Sequence, residues 1–77
     1  MAVTVKFFAN LRESLGISAT TVDYVQGMKI SDVWNAATKE REMPTGLLTA
    51  VNMDYEKNDI PVSDNDEVAF FPMVSGG

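Results

Sequence analysis

The chain has 77 residues, 45% of them hydrophobic and 22% charged, and a formal net charge of −5. That length holds one domain with a single core, and the composition is that of an ordinary globular chain rather than a disordered one. With no cysteine and no histidine, disulfide frameworks, thiolate zinc sites and histidine acid-base catalysis are excluded.

The charge is unevenly placed. Residues 1–42 balance five bases (Lys6, Arg12, Lys29, Lys39, Arg41) with five acids, whereas residues 43–77 set Lys57 against Asp54, Glu56, Asp59, Asp64, Asp66 and Glu67. No basic patch is available to displace phosphate counterions, so nucleic acid is not an expected partner and a protein with a basic surface is the better match. The apolar runs are only a few residues long, too short to span a membrane, and MAVTVKFF lacks the charged start and long apolar middle of a signal peptide. The expected location is the cytoplasm.

In VTVKFF, residues 3–8, Val3, Val5 and Phe7 alternate with Thr4 and Lys6, the period of a strand with one buried face. Phe8 then puts an aromatic on the polar side. ANLRESLG has Leu11 and Leu15 four apart and Gly16 as a stop, which predicts one or two helical turns. ATTVDYV, residues 19–25, is β-branched and aromatic, and reads as a second strand antiparallel to the first. KISDVWNAATKEREM changes period: Ile30, Val33, Trp34 and Ala37 form one helical stripe. Ser31 reads as its N-cap, Asp32 suits the first turn, Lys39 and Arg41 suit the last turns, and Pro44 with Gly46 end it. Trp34 is expected to anchor that helix to the sheet.

GLLTAVNM, residues 46–53, reads as a nearly continuous apolar strand, partly covered on both faces. DYEKND follows as a polar connection, then a short apolar step at Ile60 and Val62, a turn over Ser63 to Asp66, and a last strand from Glu67 to Phe71. The acids of that turn lack the spacing and central glycine of a calcium loop, so no metal site is assigned. The order strand, strand, helix, strand, strand predicts an α+β domain of the β-grasp (ubiquitin-like) type. Its mixed sheet has one main amphipathic helix packed across one face, with the first and last strands as central neighbours. The domain is read as residues 1–72, and residues 73–77 as a flexible tail ending in Gly-Gly.

If the helix covers Val3, Val5, Phe7, Val68 and Phe70, then Phe8 and Phe71 stand side by side on the open face, a candidate protein contact or a pair buried by loops. Beyond Pro72 the five remaining residues reach about 17 Å when extended. Gly76 and Gly77 carry no side chain, so this end can enter a channel closed to other residues and bring the terminal carboxylate to a reaction centre. A frayed terminus has the same composition.

VKFFANLRESLG at one end, LTAVNMD in mid-chain and DNDEVAFFPMVSGG at the other resemble the small, sulfur-carrying subunit of molybdopterin synthase, the MoaD type of ubiquitin-like carrier. Met73 stands where that family usually has a second proline. The resemblance implies that the Gly77 carboxylate is adenylated, with ATP, by an activating enzyme related to ubiquitin-activating enzymes and then converted to a thiocarboxylate that donates sulfur to a pterin precursor. It implies no bound cofactor, and a large-subunit partner in a heterotetramer whose pocket takes the tail through Val74, Ser75, Gly76 and Gly77. It places Phe8, Phe71 and Tyr55 at the docking surface, with Arg12 as an anion or partner contact there. The alternatives are a ThiS-type carrier serving thiamine thiazole synthesis, a protein modifier joined to lysines through Gly77, and a binding module with a frayed end. AFFP favours the molybdopterin type.

Overall fold

The computed structural model describes residues 1–72. Its elements are β1 (Ala2–Phe7), α1 (Ala9–Leu15), β2 (Ala19–Asp23), α2 (Ile30–Thr38), β3 (Leu47–Val51), β4 (Asp54–Tyr55) and β5 (Glu67–Pro72). The strands form one five-stranded sheet in the order β2-β1-β5-β3-β4. β1 and β5 are parallel and central, as expected, while the β1–β2, β3–β5 and β3–β4 pairs are antiparallel. This is the predicted β-grasp: a mixed sheet with α2 across one face.

Alternation in β1 and β5 sends Val3, Val5, Phe7, Val68 and Phe70 to the α2 side, where all are essentially solvent-free. The parallel register places Phe7 beside Phe70, with ring centroids 5.9 Å apart and nearly parallel planes. Trp34 meets both rings edge-on, at 6.0 Å from Phe7 and 5.1 Å from Phe70. Each fully buried side chain of this kind stabilises the fold by roughly 2 to 3 kcal/mol. Trp34 is therefore the anchor its place on the stripe predicts.

Both ends of α2 differ from expectation. Ser31 is not the N-cap: Lys29 is, with the Lys29 N–H donating to Asp32 Oδ2 at 2.9 Å. The cause lies in the partner segment. Ile30 N–H donates to the Ile60 carbonyl and Val62 N–H to that of Met28, which holds residues 28–30 extended until the helix begins. Ser31 instead donates both its N–H and its hydroxyl to Asp59, at 2.8 and 2.7 Å. At the other end, Lys39 and Glu40 adopt left-handed backbone angles, and both N–H groups turn back to the Asn35 carbonyl. The helix stops there, well before Pro44, and Arg41 lies outside it. The Trp34 indole N–H donates to the Arg41 carbonyl at 2.6 Å, so the chain leaving the helix satisfies the one polar atom of the buried ring.

DYEKND is not wholly a connection either. Asn52 and Met53 both take positive φ, 51° and 72°, the geometry of a type I′ hairpin turn. Asp54 and Tyr55 accordingly return along β3 as a short edge strand. β3 is shorter than predicted for the same reason, and most of it is half-buried rather than covered.

Candidate functional site

The sheet face away from α2 carries the residues that alternation excludes from the core. Phe8 ends β1 in extended conformation (φ −126°, ψ 159°) as the N-cap of α1, and its N–H donates to the Phe70 carbonyl at 3.2 Å. That bond continues the β1–β5 ladder one residue past Phe7 and fixes the Phe8 ring beside β5. Phe71, next along β5, pairs with Leu48 of β3. Phe8 and Phe71 meet edge-on with centroids 6.3 Å apart, and Tyr55 meets Phe71 from the other side at 5.6 Å.

The result is a row of three aromatics running from the end of β1 across β5 to β4. Phe8 is 46% exposed and Tyr55 73%, whereas Phe71 in the middle is half-buried by its two neighbours. Ala69 and Ala50, paired across β5 and β3, occupy the same face with only a methyl each. The Lys6 ammonium lies 3.1 Å from the Glu67 carboxylate on that face, a solvent-exposed pair that contributes little to stability. A central aromatic ringed by others and rimmed by charge is the arrangement typical of a binding hot spot.

This row sits at the base of the carboxyl terminus. Pro72, the last described residue, pairs with Leu47 and has no N–H to offer a further ladder bond. Val74, Ser75, Gly76 and Gly77 lie outside the described residues, so their expected roles have no geometry here. Tyr55 joins the row because it is on β4, a placement the polar sequence around it concealed. Arg12 is exposed on α1, and among the described residues its side chain makes no hydrogen bond or ion pair.

Beside the row, a cleft of about 560 Å³ opens between the start of α2 and β3, with Ile30, Met43, Leu48 and Tyr55 among its lining residues. Sequence reading missed Leu48 and this cleft. The available signal was the β3 alternation, which gives Leu48 the opposite face from Leu47. Asp59 lines the cleft as well. Burial pushes its carboxyl up, but the Ser31 hydroxyl and N–H, helped by the Lys29 charge, outweigh that and hold it below its ordinary value of 3.8.

Of the acids in the β5 turn, Asp66 has structural work. Asp66 accepts from Ser63 N–H at 2.8 Å and from the Asn52 amide at 2.9 Å, and Asn52 in turn accepts from Glu67 N–H. Among the described residues no three acids gather in a way that could hold a metal ion, and no helix is long and apolar enough to cross a membrane.

Comparison with known proteins bears on the family and the fold. The chain is 40% identical over 84 aligned positions to the molybdopterin synthase sulfur carrier subunit of Escherichia coli, covering 97% of this chain and 99% of that one. In structure it is similar to small archaeal modifier protein 1 of Haloferax volcanii, with a TM-score of 0.83, 24% identity and full coverage of both chains. It is also similar to a chain in the complex of subunits 1 and 2 of molybdopterin-converting factor from Helicobacter pylori, with a TM-score of 0.67, 22% identity and full coverage of both. At those identities the two structures speak for the fold. The sequence model of the ThiS family matches residues 5–77, and with this match and the 40% identical relative the chain belongs to the ThiS family of ubiquitin-like proteins, on its molybdopterin synthase branch.

Proposed function

We propose that the chain is the sulfur carrier of a molybdopterin synthase. The observation that carries this reading is the full-length identity to a sulfur carrier subunit, and the aromatic row at the foot of the tail supports it by supplying a docking base.

The chemistry follows from the carboxyl group. A carboxylate is a poor acyl donor because its leaving group would be oxide. When a Gly77 oxygen attacks the α-phosphorus of ATP on an activating enzyme, pyrophosphate leaves and the acyl carbon gains AMP as a leaving group. Hydrosulfide supplied by a donor then attacks that carbon, AMP departs with the electron pair of the broken C–O bond, and loss of the sulfur's proton leaves a thiocarboxylate, nucleophilic at sulfur. In the synthase this sulfur passes to the pterin precursor. The catalytic acids and bases belong to the large subunit, to which this chain contributes a threaded tail and the Phe8, Phe71 and Tyr55 surface. The assembly is a heterotetramer with two small subunits, located in the cytoplasm.

Intact-mass measurement on the chain co-produced with an activating enzyme and a sulfur source tests this. The expected result is the mass gain of one oxygen replaced by sulfur, lost on deletion of Gly77 with the fold retained. Absence of that gain under conditions that adenylate Gly77 would sink the carrier reading. The likeness to an archaeal modifier protein supports a second use of the same activated carboxyl, attachment to lysine amines, which would appear as a covalent ladder in the same preparation.

A further inference from the structure

The far side of the sheet from β4 ends in β2, and among the described residues nothing pairs with its outer edge. Tyr24 N–H donates to the Met1 carbonyl and Phe7 N–H to that of Ser18, at 3.1 and 2.9 Å. Those two bonds fix the antiparallel alternation: Thr20 and Val22 turn their backbone groups toward β1, and Ala19, Thr21 and Asp23 turn theirs outward. All three outward residues are exposed. A groove of about 750 Å³ runs between this edge and α2, with Val22, Met28 and Ala36 supplying its apolar lining and Asp32 a carboxylate on the α2 side, while Asp23 lines it from the strand edge, one step from Val22 and so with its carboxylate on the other face of the sheet. No lysine or arginine lines it.

We propose that this edge is a second docking site, which takes an extended, basic segment of a partner protein as a sixth strand on β2. Three N–H and three C=O groups, from Ala19, Thr21 and Asp23, are positioned to bond an added strand. An incoming strand alternates as β2 does, so its apolar side chains enter the groove over Val22 and Met28, with a flanking lysine or arginine reaching Asp32, while its alternate basic side chains lie on the other face beside Asp23. The carboxylates choose the occupant. A second copy of this acidic chain, with net charge −5, would bring like charge to the same groove, whereas a basic segment relieves it. β2 and β4 are opposite ends of the sheet order, so the aromatic row stays free while β2 is occupied. The site does not rest on the sulfur-carrier reading.

The test is a titration of the isotope-labelled full-length chain with a blocked peptide of alternating valine and lysine, followed by amide NMR shifts and amide exchange. Saturable shifts and slowed exchange at Ala19, Thr21 and Asp23 are expected, with no response to a peptide of alternating valine and glutamate. Asp23→Lys, an exposed charge reversal, should weaken the lysine peptide about three- to tenfold, and Thr21→Pro, which deletes the central outward N–H, should weaken it further. If Thr21→Pro fails to fold, Asp23→Lys decides alone. No saturable shift, equal response to both peptides, shifts confined to Phe8, Tyr55 and Phe71, or concentration-dependent pairing of β2 in the peptide-free protein would each overturn the proposal.

Discussion

The two faces of the sheet are built from the same residue pair used twice. Phe7-Phe8 ends β1 and Phe70-Phe71 lies near the end of β5; the first phenylalanine of each pair is buried against Trp34, and the second stands on the other face. One step along the strand therefore moves an identical side chain from the core to a candidate docking surface. The chemistry of the ring does not distinguish the two roles; only the partner across the sheet does. On one side that partner is α2, and on the other, for the proposed carrier, it is another protein.

If this division holds, Trp34→Ala or Phe70→Ala should have the largest effect, a loss of about 3 to 5 kcal/mol in denaturant unfolding, enough to threaten so small a domain. Phe71→Ala should cost far less stability, about 1 kcal/mol, while reducing affinity for the synthase large subunit at least tenfold in calorimetry. Tyr55→Ala, at the exposed end of the row, should weaken binding by a smaller factor and leave unfolding almost unchanged. Met53→Gly sharpens the same side of the comparison. Met53 is 88% exposed at φ 72°, so glycine removes left-handed strain without removing packing and should stabilise the hairpin that carries Tyr55, by up to about 1 kcal/mol.

The smallest effect concerns the α2 side. Asp59 is held below 3.8 by Ser31 and Lys29, so the folded chain releases its proton more readily than the unfolded one. Its contribution is present above the ordinary carboxylate range and fades as pH falls below about 4. Asp59→Asn should flatten that part of the pH profile of thermal unfolding and leave the profile near neutrality almost unmoved.

What could be read from sequence was what repeats with a period. Val3, Val5 and Phe7 mark β1 and the stripe of Ile30, Val33, Trp34 and Ala37 marks α2; their order points to a β-grasp, while the pairing of the first and last strands is not forced by periodicity. The side-by-side placement of Phe8 and Phe71 follows from the same alternation. What escaped were features set by distant partners. Lys39, Glu40 and Arg41 are good helix formers, yet the helix ends because two N–H groups close on Asn35 and the indole of Trp34 takes the Arg41 carbonyl. Ser31 is a fine N-cap by type, but Asp59, 28 residues away, claims it. β4 is two polar residues long and carries no periodic signal, so Tyr55 was legible as a docking residue only through the family resemblance.

The most direct measurement of the central claim is unfolding and large-subunit binding on one preparation each of Phe70→Ala and Phe71→Ala. Opposite profiles are expected: Phe70→Ala loses several kcal/mol of stability, and Phe71→Ala keeps the fold and loses the partner. Equal loss of stability in both variants, with binding by Phe71→Ala unchanged, would contradict it.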